Sequence, residues 1–453
     1  MHKKKQPRFY LLTLGCPKNL IDSEGMSELL TAGGYRPIDN PASADVLIVN
    51  TCGFLEASKS ESIGALQELA KNKKPRQALV AAGCMTQRFG PDLVREVPGL
   101  DGLIGTRSWP DILPFLQQLH TSHRQEPIFH LPETGAVPVE RVALSRTGQG
   151  PRASAYLKIS DGCSAPCAFC TIPGIKGPGR SRPRALILDE ARALIEQGVQ
   201  EIILIAQDTT AYGRDEGEQN GLPSLIEDLL GAAPQLRWLR LMYAYPGHIS
   251  QRLIEVMAAH PQVCHYLDLP LQHGHPDTLR RMRRPHNVKK LLHWIESFRT
   301  AMPDAVLRTT FIVGYPGETE AEFEGLLSFM QAVQFDRVGI FTFSREPGTP
   351  AYDLPDQVPD AVKQERYQRA MELQQTISLA KNQLQTGRRL DVLVDGAGDG
   401  ISIARSYRDA PEIDGFVVIE QELPVGKMLP VLITGAMAYD LLAIPAEQPI
   451  MVM

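Results

Sequence analysis

At 453 residues the chain has room for about three domains of ordinary size, which excludes a single small module. Its 43% hydrophobic content, with only 37 glycines and 35 prolines, excludes a low-complexity or disordered chain. The formal charge is mildly negative at −5, and no apolar run approaches the about 18–20 residues of a membrane span, so no membrane partner is expected. Lys3, Lys4 and Lys5 precede an apolar stretch, FYLLTL, but six residues fall short of the ~7–15 of a secretory apolar region and no small-residue cleavage site follows. Seven cysteines, an odd number with one tight cluster, read as metal ligands in a reducing cytosol, so the protein is expected to be cytoplasmic.

Residues 7–118 alternate short aliphatic runs (FYLLTL, VLIVN, ALVAA) with helical periodicity over roughly 18–31 and from about 54, the pattern of a parallel sheet covered by helices. Residues 119–148, with scattered Pro, Gly, Thr and Ser, read as a linker. A second domain, 149–386, carries strand candidates at 155–160, 201–206, 236–242, 264–269, 306–313 and 336–343, with helices between most of them. Six β/α units predict a TIM-like barrel, open or closed, with its chemistry at the C-terminal strand ends. A polar helix over about 360–385 leads to Gly387. From there to 453 only strands follow (RLDVLV, ISIARS, GFVVIE, MLPVLITGA, YDLLAI), a small five-stranded all-β barrel.

Cys163, Cys167 and Cys170 give C-x3-C-x2-C directly after the first barrel strand. Three thiolates hold three irons of a 4Fe-4S cube and leave the fourth open to a ligand, whereas structural zinc and ferredoxins use four closed ligands. Zinc borrowing a histidine is the alternative. Cys16 follows FYLLTLG, Cys52 follows VLIVNT and Cys84 follows ALVAAG, each just past the end of a successive parallel strand. Such ends share one sheet edge, so the three are expected to converge as ligands of a second cube; the competing reading of each singly is a small buried hydrophobe.

C-x3-C-x-aromatic-C opening a β/α barrel resembles the radical S-adenosylmethionine superfamily. The resemblance implies that the open iron chelates S-adenosylmethionine, that Phe169 lies against its adenine and that one electron cleaves it to a 5'-deoxyadenosyl radical. With both triads and the final barrel, called TRAM, nearly the whole chain is similar to the methylthiotransferase family. The strings Ala206–Gly213, Asp268–His273, Arg308–Thr319 and Ala404–Gly415 point to its RimO branch, which methylthiolates the β-carbon of an aspartate in the small-subunit ribosomal protein twelve. That activity implies two 4Fe-4S clusters, an electron donor and a sulfur donor. At strand ends, Gln207, Asp208, Arg308 and Gly314 are expected to reach the cofactor or substrate. After the cluster, where the family carries an Arg-Gly-Lys-like run, this chain has Ile175-Lys-Gly-Pro-Gly-Arg180.

From Gly387 onward ten acidic residues meet five basic ones, so all the net charge falls on the last domain. Such a module repels RNA and attracts a cationic protein, which favours a ribosomal protein over the alternative, a tRNA adenosine methylthiotransferase. Asp409, Glu412 and Asp414 are expected to be exposed there as its recognition surface. A non-catalytic iron-sulfur carrier, the other alternative, predicts four ligands per cluster and no large barrel. His273 and His275 read as hydrogen-bonding groups, Arg280, Arg281, Arg283 and Arg284 as a solvated helix end, and Cys264 as core.

Overall fold

The computed structural model describes residues 6–121, 126–134 and 152–446. The three lysines at 3–5, most of the span read as a linker and Glu447 lie outside them.

The first sheet is parallel throughout. Its strands are β1 (Arg8–Thr13), β2 (Arg36–Pro37), β3 (Val46–Thr51), β4 (Ala78–Gly83), β5 (Gly102–Gly105) and β6 (Ile128–His130), in the order β2-β1-β3-β4-β5-β6. The fully buried runs VLIVNT and, but for its first residue, ALVAAG make β3 and β4 the centre of the sheet. Helices α1 (Pro17–Ala32), α2 (Glu56–Asn72) and α3 (Cys84–Glu96) follow β1, β3 and β4. The chain leaves β1 towards β2 on one side and returns to β3 on the other, so β1 and β3 flank a topological switch point, where open α/β sheets bind ligands. β6 lies within the span read as a linker and extends the sheet by one strand beside β5.

The second sheet contains β7 (Ser154–Lys158), then, after the short antiparallel pair β8 (Ser160–Asp161) and β9 (Arg180–Ser181), β10 (Glu201–Ile205), β11 (Trp238–Leu241), β12 (Val263–Asp268), β13 (Val306–Val313) and β14 (Arg337–Thr342). Neighbours in this sheet follow chain order from β7 to β14, all parallel, and the outer two strands do not pair: the barrel is open. One face buries a large apolar core under the helices, including Leu204, Leu241, Leu267 and Phe311. The other carries Ile203, Ile205, Met242 and Tyr266, which pack against Ile21 of α1 and against Leu393 and Ala410 of the last domain.

That last domain is a closed barrel, β15 (Arg389–Gly398), β16 (Ile401–Ser406), β17 (Val417–Ile419), β18 (Met428–Ala436) and β19 (Leu441–Pro445), in the order β15-β16-β17-β19-β18. Closure leaves no free edge. Buried charge seats it against the open sheet. Glu201 is bonded to Arg240 at 2.8 Å and to Arg405 at 2.8 Å, all three nearly inaccessible, and Ser154 donates to the same carboxylate at 2.6 Å. Arg337 meets Asp409 at 3.0 Å, Arg408 meets Asp336 at 3.2 Å, and the Tyr266 hydroxyl donates to Asp414 at 2.6 Å.

Two of the three acids expected at the surface are therefore interior. Asp409 is 1% exposed and the Asp414 side chain lies against Arg308; only Glu412 faces solvent. The turn-rich stretch that reads as exposed is the plug that fills the concave face of the sheet.

The two guanidinium groups hold the Glu201 carboxyl down at about 2, although burial by itself raises it. A carboxyl lowered on folding contributes stability above its unfolded value, near 4.5, and loses that contribution as pH falls towards 2. Glu201→Gln, which leaves two buried arginines without their shared carboxylate, is expected to cost about 3–5 kcal/mol in urea unfolding at pH 7. The gap between wild type and variant should close between about pH 4.5 and 2; a constant gap over that range would show that the charge contributes nothing.

Candidate functional site

The first triad occupies the loop after β8. Its base is closed by the β8–β9 pair and by the Cys163 amide donating to the Gly177 carbonyl at 3.1 Å. Its far end is pinned through Ala168, whose amide donates to Met282 at 3.0 Å and whose carbonyl accepts from Ala351 at 2.8 Å. All three thiols are partly accessible. Burial pushes Cys163 up to about 11 and Cys170 up to about 12.

Arg284 is 7% exposed and donates from Nη1 to Cys167 Sγ at 3.4 Å. Its guanidinium stacks 4.4 Å from the centre of the Tyr245 ring, and Nη2 donates to the Pro270 carbonyl. The basic run is thus not one solvated face: Arg280 pairs with Asp277 at the surface, Arg281 forks onto Glu322, and Arg284 turns inward.

The other three cysteines lie at three strand ends. Cys16 ends the β1 turn and precedes Pro17 at the first position of α1, Cys52 follows β3, and Cys84 opens α3. These strands are adjacent in the sheet. Asn19 gathers their ends: its Nδ2 donates to the carbonyls of Leu14 (3.0 Å) and Thr51 (3.1 Å), and its Oδ1 lies 3.6 Å from Cys84 Sγ. The Cys52 side chain packs on the turn before Cys16, since a Cβ on Gly15 would stand 2.9 Å from Cys52 Sγ. Burial pushes Cys84 up to about 12, and the neighbouring thiols Cys16 and Cys52 add to that.

Between the triads lies a quartet of buried charges. Lys158 bonds Asp22 of α1 and, at 2.7 Å, Asp161; Lys176 bonds Asp22 at 3.3 Å and Asp161 at 3.1 Å. None of the four side chains is more than 6% exposed. Asp161 is two residues from Cys163, and Lys176 acts electrostatically on Cys84, so the quartet touches both thiol sets. The two lysines hold the Asp161 carboxyl far below its ordinary range against the cost of burial. Lys176 occupies the run that departs from the family's Arg-Gly-Lys pattern. Arg107 of the first domain reinforces the junction, donating to the carbonyls of Ile175 (2.8 Å) and Gly174 (2.7 Å), as does an Arg88–Glu346 pair at 3.0 Å.

Lys18, four residues before Asp22 on the same face of α1, is 8% exposed. Its Nζ stands 3.1 Å from the centre of the Tyr243 ring, and burial lowers its basicity despite the nearby Asp268.

The other expected contacts divide. Phe169 is half-buried against Met282, Tyr315 and Phe343. Gln207 keeps a buried Oε1 with no hydrogen-bond partner among the described residues, an open acceptor at the end of β10. Asp208 has both oxygens engaged, by Thr210 and Ala211 and by His248 Nδ1 at 2.7 Å, so it organises its own loop. Arg308 is third of eight residues in β13 rather than at its C-terminal end, and is bound to Asp268 at 2.7 Å and Asp414 at 3.4 Å. Gly314 has φ +72°, and a Cβ there would stand 2.3 Å from Lys363 Cγ, so it serves a turn packed on the long helix Asp360–Gln383. His273 is buried and held neutral, its Nδ1 accepting from the His275 amide at 2.9 Å; Cys264 is 3% exposed, in the core.

Sequence reasoning missed Arg284, Lys18 and the quartet. One signal was present: α1 has no apolar stripe, yet it follows a candidate ligand and must bury a face, so its Lys18–Asn19–Asp22 face is polar by necessity.

Residues 8–105 match the uncharacterized protein family UPF0004, residues 157–330 the radical SAM superfamily and residues 386–445 the TRAM domain. Among solved structures, the radical S-adenosylmethionine methyltransferase TsrM from Kitasatospora setae aligns over 88% of this chain and 80% of its own, with a TM-score of 0.57 at 14% identity, a likeness of fold alone. The protein named ribosomal protein uS12 methylthiotransferase RimO in Chloroflexus aurantiacus is 50% identical, covering 96% of this chain and 98% of its own. Its namesake in a Roseiflexus species is 48% identical over 98% of both chains. With identity this high from end to end, the chain belongs to the RimO family of radical SAM methylthiotransferases.

Proposed function

We propose that the protein replaces a hydrogen on the β-carbon of an aspartate in ribosomal protein uS12 with a methylthio group, using two 4Fe-4S clusters and S-adenosylmethionine. The observation that carries this reading is the pair of three-cysteine sets, neither with a fourth cysteine beside it among the described residues, joined by the Asp22–Lys158–Asp161–Lys176 quartet. One set serves a single-cluster radical enzyme. The second, in an all-parallel sheet at a switch point, is what sulfur transfer adds.

The donor sets fit the groups. Cys163, Cys167 and Cys170 would hold one cluster and Cys16, Cys52 and Cys84 the other. When bound, the first supplies the electron that cleaves S-adenosylmethionine and the second carries the sulfur; both then depend on an electron donor and a sulfur donor from outside the chain. Arg284 holds the Cys167 sulfur in place through its Nη1 contact. Phe169 offers an apolar face for the adenine, and the buried Gln207 Oε1 accepts a hydrogen bond from a cofactor group. Asp208 positions rather than binds, through His248. Arg308 likewise holds the TRAM barrel against β12 and β13.

For the substrate, the exposed charge of the last domain still favours a cationic protein over tRNA. Asp391, Asp395, Asp399, Glu412, Glu420 and Glu422 are exposed, against Arg388, Arg389 and Lys427. The recognition surface is therefore assigned to these acids, with Glu412 alone retained from the expected trio. Among the described residues no helix is long and apolar enough to cross a membrane, which accords with work on ribosomal protein in the cytoplasm.

Reconstituted wild type is expected to contain about eight irons, and the Cys16/Cys52/Cys84 triple alanine variant about four with S-adenosylmethionine cleavage retained. The Cys163/Cys167/Cys170 triple variant should lose cleavage and keep the other four irons; four irons in wild type would reject the second site. In anaerobic reaction with purified uS12, mass spectrometry should find one added methylthio group on an aspartate and none on tRNA adenosine in a parallel reaction. Modified tRNA with unmodified uS12 would replace this reading with the tRNA one.

A further inference from the structure

We propose that the Lys18 ammonium binds the carboxylate of the substrate aspartate and so selects an acidic side chain as the acceptor of the methylthio group. This inference rests on the methylthiotransferase reading above and names the residue that would give it side-chain specificity.

A lysine at 8% exposure ordinarily has a carboxylate partner, because burying a lone ammonium is costly. Lys18 has none within ion-pair distance among the described residues, and no hydrogen bond; it rests on the Tyr243 ring at 3.1 Å. Cation–π contact recovers part of the lost hydration and leaves the N–H donors unspent. The nearest carboxylates are already committed. Asp268 gives Oδ1 to Arg308 at 2.7 Å and Oδ2 to the Tyr243 amide at 3.0 Å, and Asp161 and Asp22 are balanced by Lys158 and Lys176. The other cations of the junction are equally engaged. Lys158 and Lys176 belong to the quartet, Arg308 lies between two aspartates, Arg107 is spread over three carbonyls, and Arg284 is on Cys167. Among the described residues, Lys18 is the positive charge of this junction left without a carboxylate.

Its position suits that use. Lys18 is two residues from Cys16, on the helix that leaves the second triad, and reaches Tyr243, just past the end of β11 at the C-terminal edge of the open barrel. It therefore spans from the sulfur-bearing side to the mouth of the radical site. The β-carbon of an aspartate is bonded directly to its carboxylate carbon. A cation beside the triad that delivers sulfur thus meets the carboxylate when the β-carbon is in place, and an adenine offers it no anion. An ammonium on a side chain that is already largely buried loses little further water when it forms its pair, which favours a carboxylate over the neutral amide of the same shape.

The test measures affinity of the iron-loaded protein, without S-adenosylmethionine, for full-length uS12 and for uS12 with its modified aspartate changed to asparagine. Wild type is expected to bind the aspartate form roughly tenfold or more tighter, as one charge-assisted pair gives. Lys18→Met, with iron content matched to wild type, should bind both forms alike, and Lys18→Arg should restore the preference in part. Equal binding of the two forms by wild type overturns the inference whether or not the variants fold, and so does a Lys18→Met protein that keeps the wild-type ratio. A wild type that neither binds nor modifies uS12 refutes the methylthiotransferase reading itself and this inference with it.

Discussion

Four buried charges at the meeting of the first two domains fix where everything else stands. Asp22 comes from α1, Lys158 and Asp161 from the ends of β7 and β8, and Lys176 from the short helix after the cysteine loop. Two positive and two negative groups in one dry site neutralise one another, and none can leave without stranding a partner. The first domain cannot slide or rotate on the barrel, because each lysine is held by an aspartate from either side. Apolar contacts such as Ile21 on Ile203 supply area but tolerate small shifts; paired charges at about 3 Å do not.

The same device recurs at the other end of the barrel. Glu201, Arg240 and Arg405, with Arg337–Asp409 and Arg408–Asp336, seat the TRAM barrel in the concavity of the open sheet. An open half-barrel exposes an inner face that six complete turns of β/α would not close, and the inner residues of β7, β10 and β11 include Ser154, Glu201 and Arg240 rather than only branched aliphatics. The last domain fills this volume with side chains of matched charge. Its net negative charge thus has two parts: an interior part neutralised by core arginines, and an exposed part left for partners.

Much of this was legible in the sequence, for reasons that also explain the rest. The six strands of the second sheet and β1, β3 and β4 of the first stand within a few residues of their sequence limits, since uninterrupted runs such as VLIVNT and EIILI have few ways to be buried, whereas the short edge strands β2, β5 and β6 carry no such run. The local triad is visible as spacing, and the dispersed one as a repeated relation of cysteine to strand end. Charges were not legible in the same way. Asp409 and Asp414 sit among Pro, Gly and Arg, and nothing local distinguishes an exposed acid from one whose arginine lies about a hundred residues earlier or nearer in the fold. Arg284 was lost in the same manner, within four arginines that have three different surroundings. Asp22 and Lys158 are far apart in sequence and take their meaning only from each other.

The two thiol sets differ in what they ask of the fold. Cys163, Cys167 and Cys170 lie on one loop whose ends are tied by a two-residue ladder and a few amides, so their spacing is largely a local property. Cys16, Cys52 and Cys84 take their spacing from three strands and from Asn19, whose three contacts bind the strand ends together. Local geometry survives loosening of the sheet, whereas geometry assembled from distant segments is lost when any of them opens. The quartet joins an element of each kind, Asp22 on the helix that leaves Cys16 and Asp161 two residues before Cys163.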